Sequence, residues 1–172
     1  MIEKTFKKLR KDDLPDLLRK DYLICLAIII FCFTLDRFTK MKIINVQQND
    51  NSIYINKFLN FDLVWNTGVG FGFLSSISNL AYNFVSLLIG LVLIFLIYLI
   101  IKSKFTEKIL FSLILGGALG NFFDRIYFFA VPDFIDFHFN KFHWFTFNMA
   151  DIFITLGIFI LIGKDLFTKD TN

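Results

Sequence analysis

Four long apolar runs constrain this chain more than any other feature: residues 22–38, 80–101, 109–123 and about 145–162. A hydrocarbon core of about 30 Å needs about 20 helical residues to cross it. Only 80–101 meets that length unaided. The others borrow polar residues at one end: Asp36 and Lys40, Asp124 and Arg125, Asn148 and Asp151. Charged groups in a bilayer helix face protein or water rather than lipid. Three helices ending in charge therefore predict one shared polar site. The expected fold is an all-α membrane protein with four transmembrane helices, a small extracytoplasmic β-sheet cradle and a short extracytoplasmic loop/helix, forming one polytopic domain over 1–172.

Composition agrees. Hydrophobic residues make up 56% of the chain and charged residues 19%, against about 25% charged in a typical soluble domain. That disfavours a disordered protein, a coiled coil and an ordinary soluble enzyme. The net charge of +3 is too small to suggest nucleic acid as a partner. The 25 phenylalanines sit beside plentiful Ile, Lys and Asn, and are read as codon bias supplying apolar bulk.

The basic residues set an orientation. Lys4, Lys7, Lys8, Arg10, Lys11, Arg19 and Lys20 precede the first run. Lys102, Lys104 and Lys108 lie between the second and third, and Lys164 and Lys169 follow the fourth. The positive-inside rule then puts both termini in the cytoplasm, with residues 1–21 as a cytoplasmic extension. Asp36, Asp124, Asp133 and Asp151 fall near the outer face. A cleaved signal peptide fits poorly, because no A-x-A site follows the first run. Cys25 and Cys32 lie about 10 Å apart along a helix, beyond the reach of about 7 Å for a disulfide.

Residues 42–64 read as an extracytoplasmic β region. The β-prone pieces are 43–46, 52–55 and 59–64, with an Asn/Asp turn at 49–51. Residues 131–143, with alternating aromatics and acids, read as a second outer loop that closes over the first region as a lid over a cradle.

Several groups could carry chemistry. Asp36 and Lys40, at i, i+4, form an ion pair that serves as a structural post. Residues 66–73 hold three glycines but no lysine, which argues against a phosphate cradle. Gly116, Gly117 and Gly120 give a smooth helix face for close packing in lipid. Asn121, Asp124 and Arg125 cluster at the outer end of that helix, where Asp124 and Arg125 can neutralise each other. Asp151 lies in an apolar run with no adjacent base, so its carboxylate needs a proton or a partner. Two carboxylates sharing one proton would answer that need: the ionised member takes a proton from water while the neutral one donates to a carbonyl oxygen. Asp133, Asp136 and Asp124 are the candidate partners, and spacing does not choose among them. His138 and His143 are the only histidines. Without H-E-x-x-H or a nearby cysteine, no zinc site is expected.

Taken in order, Asp36-x-x-Thr39-Lys40, Asn66-x-Gly68, Gly116-Gly117-Ala118-x-Gly120-Asn121-x-x-Asp124-Arg125, Asp133-Phe134-Ile135-Asp136 and Phe147-Asn148-x-Ala150-Asp151 resemble the bacterial lipoprotein signal peptidase (signal peptidase II) family. The resemblance covers about 35–156. It implies a four-helix membrane aspartic endopeptidase of the bacterial inner membrane. Such an enzyme removes signal peptides from diacylglyceryl-modified prolipoproteins, cutting before the lipid-modified cysteine. By motif, the resemblance implies that Asp133 and Asp151 are the catalytic pair. It implies that Asn66, Gly68, Asn121, Arg125, Asn148 and Ala150 bind substrate or shape the site, and that Asp36, Lys40, Asp124 and Asp136 support it. No metal or organic cofactor is implied. The expected partners are the lipidated precursor, the bilayer and globomycin-like inhibitors, with the protein as a monomer. Pro132 replaces the family's usual valine before the first catalytic aspartate, and Val69-Gly70 replaces alanines in the glycine-rich element. A small transporter and a non-enzymatic assembly factor are the rival readings. The first predicts ion flux without cleavage, and the second predicts that Asp133→Asn and Asp151→Asn remain functional.

Overall fold

The structure, a computed structural model, describes residues 20–47, 52–67, 79–139 and 142–169. Residues 1–19, the 49–51 turn, Gly68, Val69 and Gly70 lie outside the described residues.

Among the described residues, four helices and four strands follow one another: α1 (Lys20–Val46), β1 (Ile53–Asn56), β2 (Leu59–Asn66), α2 (Asn79–Lys102), α3 (Phe105–Tyr127), β3 (Val131–Phe139), β4 (Phe142–Phe147) and α4 (Met149–Lys169). The strands form one antiparallel sheet in the order β1-β2-β3-β4. Among the described residues three helical segments are long and apolar enough to cross a membrane: Lys20–Val46, Tyr82–Lys102 and Phe105–Tyr127. The fourth helix carries Asp151 at one end and Lys164, Asp165 and Lys169 at the other.

α3 lies at the centre and packs against the other three helices. Its glycines make that possible. A Cβ added at Gly117 would stand 2.6 Å from the Ala150 carbonyl oxygen, and one at Gly116 would stand 2.7 Å from Cys32 Cβ. The backbones of α4 and α1 thus sit where a side chain would otherwise be. Cys25, Leu93, Leu96, Ile100, Ile114 and Leu115 form the apolar core among the helices. The cysteines are free and packed inside it or beside it. Large apolar side chains face outward instead, among them Phe31, Leu87, Ile94 and Phe159. Polar groups are buried: Asp36, Lys40, Asp124 and Asn148 have no exposed surface. Charge inside and hydrocarbon outside is the distribution a lipid solvent demands.

Two expectations are corrected. Residues 43–46 are the last turn of α1, not a strand. Cys25, Cys32, Asp36, Lys40, Ile43 and Gln47 make one buried helical stripe. Ile43 packs with Phe134 and Ile135 of the sheet, and Gln47 N–H continues the ladder to the Ile43 carbonyl at 2.9 Å. That packing outweighs the β preference of Ile and Val. Gln47 then ties helix to sheet, donating to the Phe61 carbonyl and accepting from Leu63 N–H. Residues 131–139 and 142–143 are likewise not a loop. They belong to the β3–β4 hairpin, whose strand β3 is buried through Asp136. The alternating aromatic and polar residues are the period of a strand.

Phe129 turns the chain from α3 into β3 with φ 56°, a left-handed conformation uncommon for a residue with a Cβ. The turn returns the chain toward β2, so that Asp133 pairs opposite Val64 and Val131 opposite Asn66.

Candidate active site

α4 starts with Asn148 as its cap. The Asn148 side-chain oxygen accepts from Asp151 N–H at 3.2 Å, and Asp151 Oδ2 accepts from Asn148 N–H at 3.1 Å. This is a reciprocal capping box with aspartate in the place usually held by Glu or Gln. Between them, Ala150 N–H donates to Asp36 Oδ1 of α1 at 3.0 Å. The orphan donors of the helix start are therefore taken up by two aspartates and one asparagine.

Asn148 also faces β3. Its Nδ2 donates to Asp133 Oδ1 at 2.5 Å. A single asparagine thus holds Asp133 through its side chain and Asp151 through its backbone. Asn66, at the end of β2, donates to Asp133 Oδ2 at 2.9 Å. Asn121 of α3 donates to Asp151 Oδ1 at 2.8 Å. Each of the four carboxylate oxygens accordingly accepts from an uncharged amide.

Asp36 and Asp124 are held differently. Lys40 Nζ donates to Asp36 Oδ2 at 2.8 Å, to Asp124 Oδ2 at 2.7 Å and to Asn121 Oδ1 at 2.8 Å. Arg37 donates to the other oxygen of Asp124. Asp124 is thus neutralised by α1 and not by its neighbour Arg125, contrary to the expectation of local pairing. The Arg125 backbone carbonyl accepts from the Tyr82 hydroxyl at 2.9 Å.

The two settings have different electrostatic consequences. A carboxylate bonded to an ammonium or guanidinium stays ionised. Amide donors stabilise charge less, and burial opposes it. Asp133 is pushed up to about 6, first by burial and then by the charge of Asp151, against the amides of Asn66 and Asn148 and the more distant Lys40. Lys40 bonds neither acid of the pair among the described residues; Asn121 relays between Lys40 and Asp151.

The profile described as Signal peptidase (SPase) II matches residues 28–167. The chain belongs to the signal peptidase II family. It is 48% identical over 157 residues to the lipoprotein signal peptidase of Pelagibacter ubique (strain HTCC1062), covering 89% of this chain and 95% of that protein. It is 44% identical over 151 residues to the lipoprotein signal peptidase of Francisella tularensis subsp. novicida (strain U112), covering 84% and 91%. A solved structure described as a bacterial membrane enzyme, determined by the in meso method at 2.3 Å resolution, superposes with a TM-score of 0.70. Its sequence identity is 31%, over 86% of this chain and 90% of that one.

In this signal peptidase II chain, Asp133, Asp151, Asn66, Asn121, Asn148, Asp36, Lys40 and Asp124 meet in one hydrogen-bonded network. Ala150 joins through its backbone alone. Asn148 and Ala150 are wholly buried. Asp136 stands apart, accepting from His143 Nδ1 at 2.8 Å. Sequence reasoning missed Arg37 as the second base on Asp124, and Gln47 as the tie between α1 and β2. Arg37 lies one residue after Asp36, but the i, i+4 pair with Lys40 accounts for the local charge and leaves no signal for it.

Proposed function

We propose that this protein is a membrane aspartic endopeptidase that removes the signal peptide from diacylglyceryl-modified prolipoproteins, cutting on the amino side of the lipid-modified cysteine. Asp133 and Asp151 are its catalytic residues. The observation that carries this assignment is their shared setting: a buried and a half-buried carboxylate, bridged by Asn148, with neutral amides on their oxygens. Like charges so placed favour a state with one proton between them. The ionised carboxylate takes a proton from water, and the water oxygen attacks the scissile carbonyl carbon. The protonated carboxyl donates to the carbonyl oxygen. Collapse of the tetrahedral intermediate then passes a proton to the leaving amine.

Asn66, Asn121 and Asn148 hold the pair in place, with Gly68 and Arg125 on the substrate side by resemblance to the family motif. Asp36, Lys40 and Asp124 brace α1, α3 and α4 around it. All four helices cross the inner membrane, both termini are cytoplasmic, and the acids lie at the outer face. α4 crosses with a short apolar centre, 152–163, because its charged ends reach the two surfaces. The substrate enters sideways from the bilayer, as suits a lipid-anchored peptide, and globomycin-like peptides compete for the same cleft.

The test compares one precursor with and without its diacylglyceryl group, incubated with the purified protein in detergent. Mass spectrometry should find the lipidated precursor cut before its modified cysteine and the unlipidated one left whole. Cutting elsewhere, or equal cutting of both, would refute the substrate assignment. Ion flux in liposomes without any cleavage would favour the transporter.

A further inference from the structure

Asp136, His138 and His143 cluster on the β3–β4 hairpin, outside the network that holds the acid pair. His143 Nδ1 lies 2.8 Å from Asp136 Oδ2, and His138 Nδ1 lies 3.5 Å from the same oxygen. One donor atom from each of the three residues lies within 4.8 Å of the other two. The register brings them together. His138 pairs opposite His143 across the two strands, and Asp136 precedes His138 by two residues on one face of β3. The imidazole rings stack with centroids 5.3 Å apart. Asp136 and His138 are buried, while the His143 side chain is 58% exposed, leaving the cluster one open side.

Hydrogen bonding accounts for only part of this arrangement. The contact between His143 and Asp136 is an ordinary charge-assisted hydrogen bond. His138 Nδ1 is buried and has no hydrogen-bond partner among the described residues. A buried polar atom in that condition carries an uncompensated desolvation penalty. A cation shared by the two ring nitrogens and the carboxylate oxygen removes it. Zinc binds imidazole and carboxylate at about 2.0–2.1 Å, and tetrahedral geometry then sets donor atoms about 3.3 Å apart. Two of the three separations, 2.8 and 3.5 Å, lie either side of that value, and the third is within 4.8 Å. Two histidines and one carboxylate with an open fourth position form a donor set zinc accepts.

We propose that Asp136, His138 and His143 bind one divalent transition-metal cation of the zinc class, with water in the remaining position, as a clamp across the hairpin. Asp133 lies three residues before Asp136 on β3, and β4 ends at Phe147, next to Asn148. The clamp therefore fixes the two strands that present Asp133 to Asn148. It takes no part in the hydrolytic step.

The test uses full-length, tag-free protein in detergent, stripped with a chelator and titrated with zinc chloride. Bound metal is measured after gel filtration, together with thermal unfolding. About one Zn²⁺ per chain should be taken up, with a raised melting temperature. His138→Ala and His143→Ala should each weaken uptake by at least about tenfold. Asp133→Asn should bind zinc as the parent does, which separates the clamp from the acid pair. If the buried His138→Ala fails to fold, His143→Ala, on the exposed side, decides the matter. Absence of saturable uptake, unchanged uptake in His143→Ala, or loss of uptake in Asp133→Asn would each overturn the proposal.

Discussion

Four aspartates meet where the helices end, and their partners divide their work. Asp36 and Asp124 bond to Lys40, with Arg37 added on Asp124. Through Lys40 and Arg37 they tie α1 to α3. Asp133 and Asp151 bond to amides and keep a proton within reach. This difference has a consequence for stability. The carboxyl of Asp133 sits near 3.8 in an unfolded chain and is pushed up to about 6 in the fold. Between these values the folded state binds more protons than the unfolded state, so stability falls as pH rises through that window. Above pH 6 the penalty is on the order of 3 kcal/mol. Asp133→Asn removes the titrating group. Denaturation of the parent and the variant in detergent between pH 4 and pH 7 should show the variant gaining relative stability as pH rises, and equal slopes would contradict this. The sequence alone shows that Asp151 needs a second acid. It leaves Asp124, Asp133 and Asp136 open, because the partner is chosen by how the β3–β4 hairpin closes onto α4. Only the family motif points ahead to Asp133.

At the scale of elements, the glycine face of α3 sets the position of the acid on α4. A Cβ at Gly117 would meet the Ala150 carbonyl at 2.6 Å and Ile154 Cγ1 at 3.2 Å. The first of these is backbone beside Asp151 and cannot rotate away. Gly117→Ala should therefore push α4 outward, lower stability by about 1–3 kcal/mol and slow cleavage more than it weakens substrate binding. Thermal unfolding and the kcat–KM split measure the two effects, and a fully active, equally stable variant would contradict the packing argument. The apolar runs made the helices legible, and the small-residue spacing of 116, 117 and 120 made the close face legible. The strand boundaries were less so. Residues 43–46 look β-prone in isolation but are held helical by Ile43 and Gln47 against the sheet, which are contacts distant in sequence. The fourth apolar run starts near 145, whereas α4 begins only after the Asn148 cap, and Phe145 and Phe147 belong to β4.

For the whole molecule, apolar side chains face outward along the helices while the charges converge inside at one end. Basic residues gather at the other end, at 102–108 and beyond 164. The orientation proposed above puts Lys57, in the turn between β1 and β2, on the outer side of the inner membrane and Ser103, between α2 and α3, on the cytoplasmic side. A membrane-impermeant thiol reagent applied to spheroplasts should label Lys57→Cys directly and Ser103→Cys only after permeabilisation. The reverse pattern would invert the topology. The claim that matters most is that residues 133 and 151 together hydrolyse the peptide bond. Cleavage of a lipidated prolipoprotein by the parent, Asp133→Asn and Asp151→Asn, reconstituted at equal amounts and shown folded by their melting curves, tests it most directly. Each variant should lose about 10²–10⁴-fold in rate. Near-parental cleavage by either folded variant would contradict the account.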